Sequence, residues 1–274
     1  MNLVITGSTS GIGVETVKAL YPLFDKLILP VRNLGKAEKL VSQFDHPEKF
    51  DCLEMDLSSM QSVHQTGKQI TESYGQIDLL INNAGGMFPK GKKTKEGLDW
   101  SFAVNHLGHF HLSQLLLQNL IRSKGKLVFV SSEFHRMGSV KLHDLGLHTS
   151  TSSWKNYSDA KLYNILTSKK FHKLYSEKGL ASYSLHPGAV NTSFGSESDP
   201  LSKIFITITK PFFISPQKGA QTSIFLAKSN KDELQSGGYY DKKKLKSPSS
   251  KAKDAALQDK LYDFSLQQLE EILS

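Results

Sequence analysis

Short apolar runs alternate with stretches in which apolar residues recur every three or four positions. Asn2-Leu-Val-Ile5 is a run of strand type, and Val14, Val17 and Leu20 mark a helical face just after it. Lys26 to Val31, Asp51 to Leu57, Ile77 to Ile81, Lys126 to Val130, Ser182 to Leu185 and Gly237 to Tyr240 read as further strands. Helical patterns fall between them: one runs to about residue 74, one through Leu112, Leu115 and Leu116, and one through Leu162, Ile165, Leu166 and Leu174. Strands and helices alternating over short connections predict an α/β fold, a doubly wound parallel sheet of about seven strands with helices on both faces. The pattern predicts one domain over residues 1–274. After the last strand a lysine-rich loop leads to a helical extension over about 253–273. Leu257, Leu261 and Phe264 mark its apolar face, and Leu266, Leu269 and Leu273 continue it on a shifted one.

In such a sheet, ligands collect at the carboxyl ends of the strands, and the residues at those ends carry chemistry. The first strand runs into Thr6-Gly-Ser-Thr-Ser-Gly-Ile-Gly13 before a helix begins. That order places backbone N–H groups and a helix N-terminus where a pyrophosphate can sit, so Gly7, Ser8, Thr9, Ser10, Gly11, Ile12 and Gly13 form a candidate cradle. The glycine spacing differs from the G-x-G-x-x-G form. The second strand ends at Val31, followed by Arg32-Asn33, where an NAD site would carry a carboxylate for the ribose hydroxyls. A guanidinium in its place favours a 2′-phosphate, hence NADP(H) over NAD(H). Asp56, followed by Leu57, ends the third strand and is placed to contact an adenine edge. After the fourth come Asn82, Asn83, Ala84 and Gly85: small residues that let a flat cofactor approach the backbone, and amides that bond it.

Tyr157 and Lys161 stand four apart at the start of a helical pattern, so phenol and ammonium share one face, one turn apart. A phenol with a pKa of about 10 is a poor acid or base near neutrality. A neighbouring cation stabilises the phenolate and brings the value toward working pH.

Composition narrows the function classes. The single cysteine, Cys52, excludes an internal disulfide framework and a multi-cysteine metal site, and suits a reducing compartment. No run approaches the roughly 20 apolar residues of a membrane span, and no basic leader precedes the first strand, which leads us to expect a cytoplasmic protein without a transmembrane anchor. The net charge of +8 raises the question of nucleic acid. Its lysines gather in Lys90 to Lys95 and Lys242 to Lys246, without interleaved aromatics or a nucleic-acid motif. Solvated loops are the expected reading; an anionic cofactor or an acidic membrane surface is the alternative attraction. His106, His109 and His111 lack an obvious further ligand, and no metal site is expected. Trp100 and Trp154 read as packing or pocket-wall residues.

Taken together, T-G-x-x-x-G-x-G at Thr6 to Gly13, Asp56-Leu57, N-N-A-G at Asn82 to Gly85 and Y-x-x-x-K at Tyr157 to Lys161 resemble the short-chain dehydrogenase/reductase family over nearly the whole chain. Val104 to Phe110, Leu127 to Ser132, His186-Pro-Gly188 and Lys218 to Thr222 are similar to its retinol dehydrogenase-like branch. The resemblance implies a Rossmann fold and hydride transfer between a nicotinamide cofactor and an alcohol or carbonyl carbon. It assigns Ser132, 25 positions before Tyr157, to hold the substrate oxygen, and Asn105 to bind a water linking Lys161 to solvent. The residues alone leave open that Ser132 caps a turn and Asn105 caps its helix. By the same resemblance Tyr157 is the general acid/base and Lys161 both lowers its pKa and bonds the nicotinamide ribose. Pro187 and Gly188 border the nicotinamide, with Val190 and Thr192 near its carboxamide.

The resemblance also implies a substrate lid at about 193–215. Leu201, Ile204, Phe205, Ile208, Phe212, Phe213 and Ile214 give that stretch an apolar face interrupted by Lys203 and Lys210, which points to a bulky apolar aldehyde, ketone or alcohol. A peripheral membrane contact or a subunit contact would use the same face, so monomer and homo-oligomer both stay open. Two other functions share these residues: a non-catalytic NADP-binding sensor or scaffold, and a protochlorophyllide reductase-like enzyme with the Asn105-His-Leu-Gly-His-Phe110 pattern. Retention of Tyr157 and Lys161 weighs against the first and the near-absence of cysteine against the second.

Overall fold

The computed structural model describes residues 1–141, 152–190 and 214–274. Eight strands form one sheet in the order β3-β2-β1-β4-β5-β6-β7-β8. They are β1 (Asn2–Ile5), β2 (Lys26–Val31), β3 (Phe50–Glu54), β4 (Leu79–Asn82), β5 (Lys126–Val130), β6 (Ala181–His186), β7 (Tyr239–Asp241) and β8 (Lys244–Lys246). The first seven run parallel, and β8 returns antiparallel on β7.

The period of two along a strand divides the core into two halves. In β1, Leu3 and Ile5 join a cluster with Val17, Leu20, Ala37 and Leu226 on one face of the sheet, while Val4 joins Val63, Phe102, Phe110 and Ile165 on the other. The first face is covered by α1 (Gly11–Leu20), α2 (Leu34–Val41) and, later in the chain, Pro216–Lys228; the second by α3 (Met60–Ser73) and residues 100–122. That second layer starts with α4 (Trp100–Phe102), passes through a π-helical turn (Ala103–Leu107) and continues as α5 (Gly108–Leu115) and α6 (Leu117–Arg122). Helix α7 (Ser153–Tyr175) follows, then α8 (Pro216–Lys228), α9 (Ser250–Lys253) and α10 (Ala255–Leu273).

Helix α7 is buried at every position from Asn156 to Ser168, so it has no solvent-facing side over that stretch, and polar groups such as Lys161 Nζ, the Asn164 amide and Ser168 Oγ bond inside the protein. Ser152 caps it, accepting from the Lys155 N–H. Its distal part meets α10, where Phe171 packs among Phe110, Phe129, Tyr175 and Tyr262 with ring centroids 5.7 to 6.2 Å apart. Phe171 is fully buried. Phe171→Ala is therefore expected to destabilise the protein by about 3–5 kcal/mol, read as a lower urea midpoint with the slope unchanged.

Three sequence expectations need correction. The sheet has eight strands, because the lysine-rich stretch after β7 forms a hairpin: Lys242 and Lys243 both adopt positive φ, 50° and 63°, and every residue of β8 is exposed. Lysines at a turn that usually takes Asn or Gly, and on an outer strand with no buried face, carry no hydrophobic signal. Asn105 lies inside the π-helical turn, because the helical layer begins five residues earlier at Trp100 behind the Asp99 cap. In α10, Leu257, Leu261, Phe264, Leu269 and Leu273 pack on the core as expected, joined by Tyr262 and Ser265, but Leu266 turns outward and is 42% exposed. The helix otherwise starts where expected, with the Asp254 carboxylate accepting from the N–H groups of Ala256 and Leu257.

Candidate functional site

The strand order turns back between β1 and β4, and a cleft of about 330 Å³ opens over the carboxyl ends of the strands there. One part is built by the turn after β1. Gly7 has φ +64°, and a Cβ on Gly13 would lie 1.9 Å from the Gly7 carbonyl oxygen, so the turn closes only on glycine. Asn83 ties this turn to the end of β4, its amide donating to the carbonyls of Thr6 and Gly7 at 2.9 and 3.2 Å. Ser10 precedes α1 without capping it through its side chain, which leaves first-turn N–H groups available to an anion.

Of the sequence-predicted cradle, Gly7, Thr9, Ser10, Gly11, Ile12 and Gly13 line the cleft. Ser8 is fully buried, and its hydroxyl has no hydrogen-bond partner among the described residues. Arg32 lines the cleft beyond β2 and is exposed, without a hydrogen bond or ion pair among the described residues. Asn33 instead caps α2, accepting from the Lys36 N–H at 2.9 Å. Asp56 and Leu57 line the floor, and the Asp56 carboxylate is oriented by the N–H and hydroxyl of Ser58, both 2.8 Å away.

Asn83, Ala84, Gly85 and Gly86 carry the cleft toward α7. The Asn105 side chain clamps Gly86 in both directions, accepting from its N–H at 2.9 Å and donating to its carbonyl at 3.0 Å. The Gly85 Cα faces both Asn105 and Lys161: a Cβ there would stand 2.4 Å from Asn105 Oδ1 and 3.3 Å from Lys161 Nζ. Tyr157, Ser132 and Lys161 are all buried together at this end. Lys161 Nζ lies 5.4 Å from the centre of the Tyr157 ring and donates to the Val130 carbonyl at 3.0 Å, at the end of β5. Ser132 receives the Phe134 N–H at 3.3 Å and neighbours the Tyr157 phenol, whose ionisation it favours.

Burial dominates the electrostatics of this group. It pushes the Tyr157 phenol up to about 12, against the opposing hydrogen bond from Ser132, and brings Lys161 down to about 8. The lowering of the phenol expected from Lys161 does not appear here: burial raises the pKa, and the opposing pull comes from Ser132. At neutral pH the phenol keeps its proton.

Several residues of the site escape sequence reasoning. Met87, Phe88, Trp100 and Val104 form an apolar wall of the cleft, with the Lys92 ammonium 3.9 Å over the Trp100 ring. Phe134 packs tilted against Trp154 at 4.9 Å and meets Tyr157 edge-on at 6.3 Å. Trp100 lines the cleft and Trp154 packs on Phe134, in keeping with their reading as packing or pocket-wall residues, whereas nothing in the local pattern marks Met87, Phe88 or Phe134, whose role comes from loops that only the fold brings together. At the end of β6, Gly188 (φ +93°) lies against Ile214, and Val190 bridges in parallel to Ile214 while meeting Ile12 over Gly219 of α8. Thr192 and positions 193–213 of the expected lid lie outside the described residues.

The short chain dehydrogenase family profile matches residues 1–201. The chain belongs to this family. Among curated short-chain dehydrogenases, retinol dehydrogenase 14 of Mus musculus is 34% identical over 281 residues, covering 96% of this chain and 84% of that protein. A WW domain-containing oxidoreductase of Drosophila melanogaster is 33% identical over 96% of this chain, which spans 66% of that protein's length. Among solved structures, an uncharacterised Mycobacterium paratuberculosis protein superimposes with a TM-score of 0.79 at 26% identity, over 98% of this chain and 93% of that one. NADPH-bound carbonyl reductase from chicken fatty liver, at 20% identity and a TM-score of 0.66, over 90% of this chain and 98% of that one, shares the fold. As a short-chain dehydrogenase, the protein is an oxidoreductase of a family that uses a nicotinamide cofactor. Among the described residues, no helix is long and apolar enough to cross a membrane.

Proposed function

We propose that this short-chain dehydrogenase interconverts an apolar aldehyde or ketone with its alcohol, using NADP(H), with Tyr157 as general acid/base. The observation that carries the reading is the gathering of Ser132, Tyr157 and Lys161 beside Gly85, at one end of a cleft whose other parts are the glycine turn and Arg32. The residues fit the cofactor: a turn whose glycines leave the backbone open and a helix N-terminus without a side-chain cap suit a pyrophosphate, and a guanidinium unpaired among the described residues suits a 2′-phosphate. Bound there, the nicotinamide supplies or accepts the hydride.

Ser132 and Tyr157, neighbouring hydroxyls, together hold the substrate oxygen. A phenol that keeps its proton at neutral pH suits the reducing direction, in which Tyr157 gives that proton to the carbonyl oxygen. The phenolate left behind is stabilised by the Lys161 ammonium, which is buried and hence weakly screened. Asn105 holds the Gly86 backbone in place beside Lys161. The apolar wall of Met87, Phe88, Trp100 and Val104 favours a greasy substrate over a polar one.

Oxidation or reduction of NADP(H) and NAD(H) with medium and long aliphatic aldehydes, aromatic ketones and retinal tests the reading. Turnover that rises with the apolar size of the substrate supports it; tight NADPH binding without turnover across the panel would point to a sensor instead. Arg32→Asp should move the NADPH-to-NADH preference by roughly 10–100-fold toward NADH, the worth of a charge-assisted hydrogen bond. An unchanged ratio would remove Arg32 from the 2′-phosphate. In the reducing direction kcat/KM should fall as the pH rises through about 8, where Lys161 loses the charge that supports the phenolate. A rate that climbs through that range would contradict the assigned role of Lys161.

A further inference from the structure

His109 lies fully buried where β1, the end of β4 and the π-helical turn meet. Its Nε2 is 2.9 Å from the Thr6 hydroxyl, and its Nδ1 is 3.4 Å from the Asn105 carbonyl oxygen. The same Thr6 oxygen accepts from the N–H groups of Asn83 and Ala84, both at 3.0 Å. A hydroxyl oxygen has two acceptor positions and one proton. With both acceptor positions taken by the backbone after β4, the Thr6 proton must point at His109 Nε2. The imidazole proton is thereby placed on Nδ1, where it is donated to the Asn105 carbonyl.

Burial, reinforced by the nearby Lys161 charge, holds the imidazole neutral by pushing it down to about 3, so this tautomer persists at working pH. The bond falls at a strained place in the helix: the turn has widened so that the Gly108 N–H reaches back to the Ala103 carbonyl, five residues earlier. Such π-helical turns are uncommon and concentrate at functional sites. Downstream of His109 stands the Asn105 side chain, which clamps Gly86, and Gly85, which separates Asn105 Oδ1 from Lys161 Nζ.

We propose that His109 is a positioning residue: as the Nδ1–H tautomer it fastens the π-helical turn bearing Asn105 to the Thr6 corner of the cofactor turn, and so sets the spacing of Asn105, Gly86 and Lys161. The proposal rests on the oxidoreductase reading for its kinetic consequence, but its chemistry can be read without turnover.

Asn and Gln separate the two contacts, since the Asn amide overlays the Nδ1 position of histidine and the Gln amide overlays Nε2. His109→Leu and His109→Gln should lower kcat about 10–100-fold, the scale of a small misplacement at a reacting centre, while KM for NADPH changes by less than about threefold. His109→Asn, which keeps the Asn105 contact but loses the bond to Thr6, should lower kcat over the same range, although all three variants melt earlier. Equal kcat in all variants with only a lower Tm, or full rescue by either amide alone, would overturn the proposal. In the unmodified protein labelled with 15N-histidine, the His109 resonances, assigned by their loss in His109→Asn, should show Nδ1 protonated and Nε2 free. The reverse assignment would overturn the proposal even if no substrate is turned over, whereas absence of turnover with this tautomer in place would count against the enzymatic reading alone.

Discussion

Tyr157→Phe is expected to lower carbonyl turnover by about 10³-fold or more while leaving the dissociation constant for NADPH within about threefold. The substitution removes one oxygen and keeps a ring that is buried and edge-on to Phe134, so packing survives. What disappears is the proton donor and the partner of the Ser132 hydroxyl. Residual rate would come from hydride delivery without assistance at the oxygen. Steady-state kinetics beside a fluorescence titration with NADPH separates the two effects. Comparable kcat in the variant would take Tyr157 out of the chemistry.

Gly13→Ala should act at the opposite end of the cleft. Its new Cβ would be placed 1.9 Å from the Gly7 oxygen and 2.7 Å from the Gly7 carbonyl carbon, both backbone, so the turn itself must move. The expected outcome is a loss of about 1–3 kcal/mol in stability from overpacking, with NADPH binding weakened by roughly a hundredfold as the N–H groups leave their positions. Gly35→Ala is the control: in the first turn of α2 the added Cβ meets only Asn33 Oδ1 at 3.6 Å, and replacing that glycine should gain about 0.5 kcal/mol, the low end of the range for a helical glycine. Thermal melts of the two variants should move in opposite directions. A Gly13→Ala protein that binds NADPH normally would mean the turn does not hold the pyrophosphate.

How far the sequence carried the description depended on whether the signal was local. The central strands are continuous apolar runs, and Leu3, Val4 and Ile5 already imply a sheet buried on both faces. Glycines at Gly7 and Gly13, and the pair Tyr157 and Lys161 one turn apart, are equally local, and the fold brings them to one edge of the sheet. β8 was invisible because its lysines face solvent and its turn uses Lys242 and Lys243 at positive φ. Asn33 was read as a cofactor contact on its position after β2, yet its side chain satisfies the first turn of α2, a competing use open to any Asn before a helix. In the sequence His109 stands in a family-like pattern and beside two other histidines, with no sign of its partners. Its bonds run to Thr6 and Asn105, and the first of these partners stands over a hundred residues away. The rise of the Tyr157 phenol likewise follows from burial that the i, i+4 spacing does not reveal.

The most direct test of the central claim is transfer of deuterium from nicotinamide-deuterated NADPH to an apolar aldehyde or ketone, read by mass spectrometry of the alcohol product. The account predicts one deuterium on the carbinol carbon with the unmodified protein and essentially none with Tyr157→Phe over the same time. Product formed at equal rate by both, or no labelled alcohol from a protein that binds NADPH tightly, would contradict it.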